Sequence, residues 1–250
     1  MTPFQEQEKV SPIPIPRTML ATLIMFGTVF MLGAVLVWVQ QGFDRAVLAW
    51  CSGARESVVV VQLARALTQY GMSLIAFGLL TYMVTTFVVP SLADTQRLFV
   101  VFLLSFAVIG LGGDLLKEVV KRPRPPIENA LKAKAESNSD TPSFPSGHAT
   151  KSLSLALPFV IFVPSRKRWI FLLKGALVVV ALGVGFARIL LGRHYVSDVL
   201  GAFGLVLLLL PVLVLACNQL LKRMPVAKLR SAAKVWTLGL LGLAVLLIFL

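Results

Sequence analysis

Histidine, cysteine and carboxylate are all scarce in this chain, and each shortage narrows what it can be. Among 250 residues there are two histidines, His148 and His194, two cysteines, Cys51 and Cys217, and eleven acidic residues against 24 lysines and arginines. Two cysteines cannot build a disulfide framework or a four-thiolate zinc site. The spans described below put them near opposite membrane faces, so no disulfide between them is expected. Among the carboxylates, Asp114, Glu118 and Asp198 alone fall within or at the rim of apolar runs. That leaves no dense cluster suited to Mg²⁺, and no metal or cofactor is assigned. Internal repeats and low-complexity tracts are lacking. So are zinc-finger spacings and basic stripes interleaved with aromatics, so the net charge of +13 does not point to nucleic acid. Basic loops facing anionic lipid headgroups account for it better.

Apolar residues are what the chain has in excess. The hydrophobic fraction is 57% and the mean hydropathy +0.86, above the roughly 45–50% apolar content of globular chains. Several runs approach or pass the ~20 residues that span a bilayer. The expected fold is all-α: a polytopic membrane protein with a six-transmembrane-helix core and a short seventh apolar segment. The spans fall at about residues 19–40, 72–89, 98–120, 148–163, 169–191 and 197–221. Residues 1–18 form a polar, proline-punctuated tail, 19–221 the six-span domain, and 222–250 a basic segment ending in apolar 235–250. That last stretch either crosses the membrane or lies at its interface. The first run lacks a basic n-region and a nearby small-residue cleavage site, and is expected to be retained. Residues 41–70 thread Asp44, Arg45, Arg55, Glu56 and Arg65 through apolar positions. They suggest short interfacial amphipathic helices anchored by Trp50 and Tyr70. After the third span, Arg122-Pro123-Arg124-Pro125-Pro126 cannot be regular helix. Residues 127–136 suggest a short helix and 137–140 a turn.

Six alternating spans bring the end of the third, the start of the fourth, the end of the fifth and the start of the sixth to one membrane face. Lys117, Arg124, His148, Arg188, His194 and Asp198 all fall there. Outside the spans, the opposite face carries eleven lysines and arginines against nine, with a short connector holding Arg166, Lys167 and Arg168. By the positive-inside rule the histidine face points away from the cytoplasm.

Three groups on that face carry the chemistry. In the first, Pro145-Ser146-Gly147-His148 opens an apolar run. The unpaired N–H groups of a first helical turn and its dipole make an anion site, with His148 beside it. In the second, Arg188, His194 and Asp198 follow at spacings of six and four. A carboxylate four residues from an imidazole can fix its tautomer and free the other nitrogen to attack. Arg188 offers a planar fork for phosphate oxygens. The third sets Lys117 seven residues before Arg124-Pro125. Each group alone is also ordinary helix-end punctuation or a surface ion pair.

Taken together they resemble the tripartite signature of the type 2 phosphatidic acid phosphatase superfamily: Lys-x6-Arg-Pro, Pro-Ser-Gly-His and Ser-Arg-x5-His-x3-Asp. Order and spacing agree, and Ala187 stands where that family usually has Ser. The resemblance implies a membrane lipid phosphatase working without metal. His194 would attack phosphorus and become a phosphohistidine, with Asp198 orienting it. His148 would protonate the leaving oxygen and then activate water. Lys117, Arg124, Arg188 and the N–H groups near Ser146 and Gly147 would bind the equatorial oxygens. The substrate would be a lipid mono- or diphosphate entering sideways from the bilayer, such as undecaprenyl diphosphate, phosphatidylglycerol phosphate, phosphatidic acid or lipid A. No Asn-x-Ser/Thr sequon occurs, in keeping with a bacterial source, and the expected location is a bacterial inner membrane with the site on its periplasmic side. A phosphotransferase using the same intermediate, and an anion or lipid transporter, are the alternatives. No oligomeric state is assigned. Two neighbours extend the site. Lys151 lies one turn after His148, either snorkelling or meeting a second phosphate. Asp114 lies three residues before Lys117, placed to pair with it.

Overall fold

The computed structural model describes residues 9–126 and 141–249, with side chains through 242. The sequence expectations for 127–140 lie outside the described residues. The described chain is helical: α1 (Arg17–Gln40), α2 (Gly42–Ala54), α3 (Val58–Val88), a 3₁₀ stretch (Pro90–Arg97), α4 (Leu98–Leu104), a π turn (Ser105–Ile109), α5 (Gly110–Val120), α6 (Gly147–Phe162), α7 (Arg168–Leu190), α8 (Val196–Leu221) and α9 (Val226–Phe249). Local chemistry sets the breaks. Pro16 precedes α1, Gln41 adopts φ 52° to end it, and Lys121 does the same at φ 49° to end α5, just before the proline-rich loop. Pro90 closes α3, since a proline disfavours helix in the residue before it.

Five helical stretches are long and apolar enough to cross a membrane: α1, α3, the run Pro90–Val120, α7 and α8. They turn large apolar side chains outward, among them Leu36, Leu63, Phe77, Phe171 and Val179. A water-facing surface could not hold so many. The chain is an integral membrane protein. α6 has 16 residues, about 24 Å by helical rise. It packs in the middle of the bundle, against α3, α4, α7 and α8, with Ala149, Ala156 and Phe159 fully buried.

Helix approach relies on small residues, as is usual where no water drives association. A Cβ on Gly204 of α8 would stand 2.9 Å from the backbone nitrogen of Met31 and 3.0 Å from the carbonyl oxygen of Gly27, both on α1. Backbone cannot step aside there. Gly204→Val is therefore expected to lower the melting temperature in detergent by about 5–10 °C, measured by thermal unfolding of the purified protein. No change would mean that α1 is free to slide.

The bundle has two distinct ends. At one, Asn218 of α8 clamps the N-terminal segment, accepting from Ile13 N–H at 2.7 Å and donating to its carbonyl at 2.9 Å. Arg166 of the connector reaches the Ser91 carbonyl and Asp94 there. The other end gathers the α1–α2 junction, the end of α5, the start of α6, the end of α7 and the start of α8, and holds the site.

One expectation is corrected. Residues 58–70 are not interfacial segments but the first part of α3, which runs unbroken for 31 residues. Arg65 sits on one side of a long helix and does not interrupt it. Tyr70 is accordingly mid-helix, while α2 remains a short separate helix with Trp50 exposed. Residues 91–97 are a 3₁₀ stretch leading directly into α4. The basic residues after α8 continue, from Val226, into α9. Cys51 and Cys217 are both free and buried.

Candidate active site

The site forms where the first turns of α6 and α8 meet. Ser146 N–H donates to the carbonyl of Asp198 at 3.1 Å, tying the two helix starts together. The preceding loop is fixed by Phe144, which stacks on Trp38 of α1 and fills the space over Gly201 of α8, where a Cβ would lie 2.2 Å from its ring. The Phe144–Pro145 peptide is cis. No side chain caps α6, so its first turn presents the backbone N–H groups of Gly147, His148 and Ala149. The Ser146 N–H is already spent on Asp198, which corrects its expected role. Its buried hydroxyl, which has no hydrogen-bond partner among the described residues, is what remains for an anion.

Lys117 stands over this turn. An added Cβ on Gly147 would lie 2.8 Å from its Nζ. Asp114 holds that ammonium at 2.9 Å and, through its other oxygen, holds Lys151 Nζ at 3.2 Å. The pairing of Asp114 with Lys117 is as the sequence suggests, and Lys151 joins it. Lys117, Lys151, Arg188 and His194 all lie within electrostatic reach of His148. Gly147→Ala should displace the Lys117 ammonium yet leave the fold intact. A roughly tenfold rise in KM with kcat little changed is expected, the worth of about one charged hydrogen bond, read from steady-state kinetics. An unchanged KM would mean that Lys117 does not contact substrate.

His194 is 2% exposed and lies in the turn between α7 and α8. Its N–H and that of Arg193 both donate to the Arg188 carbonyl, at 3.3 and 3.0 Å, and Gly192 supplies the turn at φ +68°. His194 Nδ1 is 3.4 Å from Asp198 Oδ2 and 3.4 Å from Ser143 Oγ. The Ser143 hydroxyl gives its proton to Asp198 Oδ2, so toward Nδ1 it can only accept. Both neighbours of Nδ1 are thus acceptors. Nδ1 carries the hydrogen, and Nε2 keeps its lone pair. Burial pushes the His194 pKa below that of a free imidazole, against the upward pull of Asp198.

Asp198, fully buried, is also N3 of α8, where it accepts from the Tyr195 N–H at 2.8 Å. Its other oxygen accepts from Arg122 Nη1 at 2.6 Å. Arg124 donates through Nε and Nη2 to Thr141 and through Nη1 to the Arg193 carbonyl at 3.1 Å. That ties the proline-rich loop to the His194 turn. Arg124, Arg188 and Asp198 all act electrostatically on His194. All eight expected site residues therefore converge on one end of the bundle. Ala187, in place of the usual Ser, is buried on α7.

Arg122, Asp44 and Ser143 are residues that motif spacing does not single out. Nearby, a cavity of about 790 Å³ opens between α2, the 122–126 loop and the His194 turn, with Arg45, Arg55, Arg65 and Arg193 in its lining.

An all-helical membrane bundle with a buried imidazole–carboxylate pair beside a helix start and a lysine defines the class. The model for the PAP2 superfamily matches residues 98–222, half of the chain, and the chain belongs to that superfamily. Phosphatidylglycerophosphatase B of Bacillus subtilis is 32% identical over 114 residues, covering 43% of this chain and 52% of that one. Lipid A 1-phosphatase of Rhizobium johnstonii is 33% identical over 131 residues, covering 49% and 51%. The chain thus spans about half the length of the curated relatives it matches. Among solved structures, a transmembrane PAP2-type phosphatidylglycerolphosphate phosphatase from Bacillus subtilis superposes with a TM-score of 0.58 at 25% identity. It covers 82% of this chain and 98% of that one.

Proposed function

We propose that the chain is a membrane lipid phosphatase that removes the terminal phosphate of a lipid mono- or diphosphate through a phosphohistidine. Residues 19–221 form its six-span core, 1–18 a tail and 222–250 an appended segment. The short α6 acts as the fourth span, shielded within the bundle. The observation that carries this reading is His194, whose Nδ1 is engaged by Asp198, which leaves the lone pair on Nε2. Nε2 attacks phosphorus, the P–O bond to the leaving group breaks (an ester in a monophosphate, an anhydride in a diphosphate), and His148 gives its proton to the leaving oxygen. His148 then takes a proton from water. The water oxygen attacks phosphorus, the N–P bond breaks, and the pair of electrons returns to Nε2. Lys117, Arg124, Arg188, the Ser146 hydroxyl and the α6 N–H groups from Gly147 onward hold the equatorial oxygens. Because these cations supply the neutralising charge, chelator is expected to leave the rate unchanged.

The names of the relatives support a lipid substrate, and the outward apolar faces support its entry from the bilayer. We place the site on the extracytoplasmic side of a bacterial inner membrane, from the charge asymmetry of the loops. The test is a panel of lipid mono- and diphosphates given to purified protein in detergent, followed by release of inorganic phosphate. Release to water from at least one lipid supports the phosphatase. Passage of the phosphate only onto a second lipid favours a phosphotransferase, and binding without cleavage favours a transporter.

The acid limb of the rate profile follows from His194. The reactive form is neutral imidazole, and burial lowers its pKa. On the acid side, activity should fall as pH drops through a value below the 6.5 of a free imidazole. A kcat/KM profile from pH 4 to 8 reads this, and an acid limb centred above 6.5 would contradict it.

A further inference from the structure

We infer that Asp44, which lies outside all three motifs, and Arg122, one of the unspecified positions between Lys117 and Arg124, form a positioning pair that holds Asp198, and through it His194, in the attacking geometry. The inference rests on the phosphohistidine reading above. Arg122 is 5% exposed and Asp44 1%. The guanidinium lies between two carboxylates: Nη1 meets Asp198 Oδ1 at 2.6 Å and Ser197 Oγ at 2.7 Å, and Nη2 meets Asp44 Oδ2 at 2.9 Å. Its plane is fixed by two rings, with Cζ 4.1 Å from the Tyr195 centroid and 4.9 Å from that of Trp38. Asp44 in turn accepts the Ser197 N–H at 3.0 Å and the Ser197 hydroxyl. The short helix α2, otherwise peripheral, thereby reaches the first turn of α8.

Three buried charges are a poor way to gain stability, because desolvation offsets most of their attraction and an apolar cluster of the same volume serves as well. What they provide is a fixed fork. Arg122 occupies one oxygen of Asp198 and leaves the other for Ser143, Tyr195 N–H and His194. Asp44 shares the Arg122 charge, so Asp198 keeps enough negative potential to hold the Nδ1 hydrogen and to stabilise the ring cation that forms when Nε2 is phosphorylated. The charged and titratable groups acting on His194 are Asp198, Arg188, Arg124 and, across the site, His148. Those on Arg122 are Asp44 and Asp198, with Tyr195 beside it.

The two members of the pair push the His194 equilibrium in opposite directions. Asp44→Asn leaves Arg122 uncompensated against Asp198 and disfavours imidazolium. The acid limb of kcat/KM should move to lower pH, with kcat down about tenfold and KM within twofold. Arg122→Gln strips the cation from Asp198 and favours imidazolium, so the limb should move to higher pH with a larger loss of kcat. A merely structural role would lower the yield of folded protein without shifting either limb. Both variants are assayed in detergent beside wild type and His194→Ala, with folding monitored by size exclusion and melting. A folded Asp44→Asn with wild-type kcat and an unmoved limb overturns the proposal. If Arg122→Gln does not fold, Arg122→Lys keeps the charge and loses the fork, and should show the kcat loss. Should Asp44→Asn and Arg122→Lys both fail to fold, the pair is structural and the proposal is likewise overturned. If His194→Ala retains activity, the nucleophile assignment fails on its own account, whatever the pair does.

Discussion

His194→Ala is expected to lose turnover by at least about 10⁴-fold and to yield no phosphoenzyme. Truncating a nucleophile that works within a coupled group typically removes all chemistry beyond binding and charge stabilisation. The site has no substitute within it: His148 belongs to the facing helix, and Lys117 and Lys151 are both engaged by Asp114. Binding should survive, because Lys117, Arg124, Arg188 and the α6 N-terminus are untouched. The check has two arms. A single-turnover experiment with ³²P-labelled lipid, quenched in alkaline denaturant because phosphohistidine is acid-labile, should label wild type and leave the variant blank. A competition assay should show the variant still binding a nonhydrolysable lipid phosphonate within about threefold of wild type. Near-normal hydrolysis by His194→Ala would remove the covalent mechanism, and the motif geometry would then need another purpose.

How much of this was legible in the sequence follows from the range of each interaction. Lys117 and Arg124, the Pro145–His148 turn, and Arg188, His194 and Asp198 are local sets whose spacing is fixed by one helix end or one turn. Membrane alternation brings them to one face without knowledge of any tertiary contact. The Asp114–Lys117 pair was legible for the same reason, being a three-residue helical spacing. Arg122 was not. Its partners Asp44 and Asp198 are 78 and 76 positions away, and in the sequence it is one basic residue in a proline-rich loop. The one available signal was Asp44 itself, a carboxylate in the first turn of a short helix, where burial requires a partner. The same limit explains α3. Arg65 looks interfacial when hydropathy is averaged over a window, but in the bundle a long helix can present a charged side chain to a cavity. The Ile13–Asn218 clamp joins residues 205 apart and has no local signature at all.

Asp198→Asn should cost about 10³–10⁴-fold in kcat, comparable to the loss when a carboxylate that orients a catalytic imidazole becomes an amide. The argument is one of donor counting. Oδ2 accepts from Ser143, from the Tyr195 N–H and from His194, while Oδ1 accepts from Arg122. An asparagine must put its NH₂ on one side or the other. Turned toward His194, it donates to Nδ1, moves the ring hydrogen to Nε2 and blocks attack; it also faces the Tyr195 N–H, donor against donor. Turned toward Arg122, it sets two donors against each other in a buried space, at a cost of about 1–3 kcal/mol. Neither orientation restores both partners, so the loss should appear in kcat, with KM set by Lys117, Arg124 and Arg188 and hence nearly unchanged. Because α8 also loses the charge at N3, some melting temperature will be lost, and kinetics are to be compared at a temperature where both proteins are folded. Phosphoenzyme formation should be slowed to the same degree as steady-state turnover. A variant that labels at the wild-type rate but releases phosphate slowly would place Asp198 in the hydrolysis of the intermediate and not in its formation.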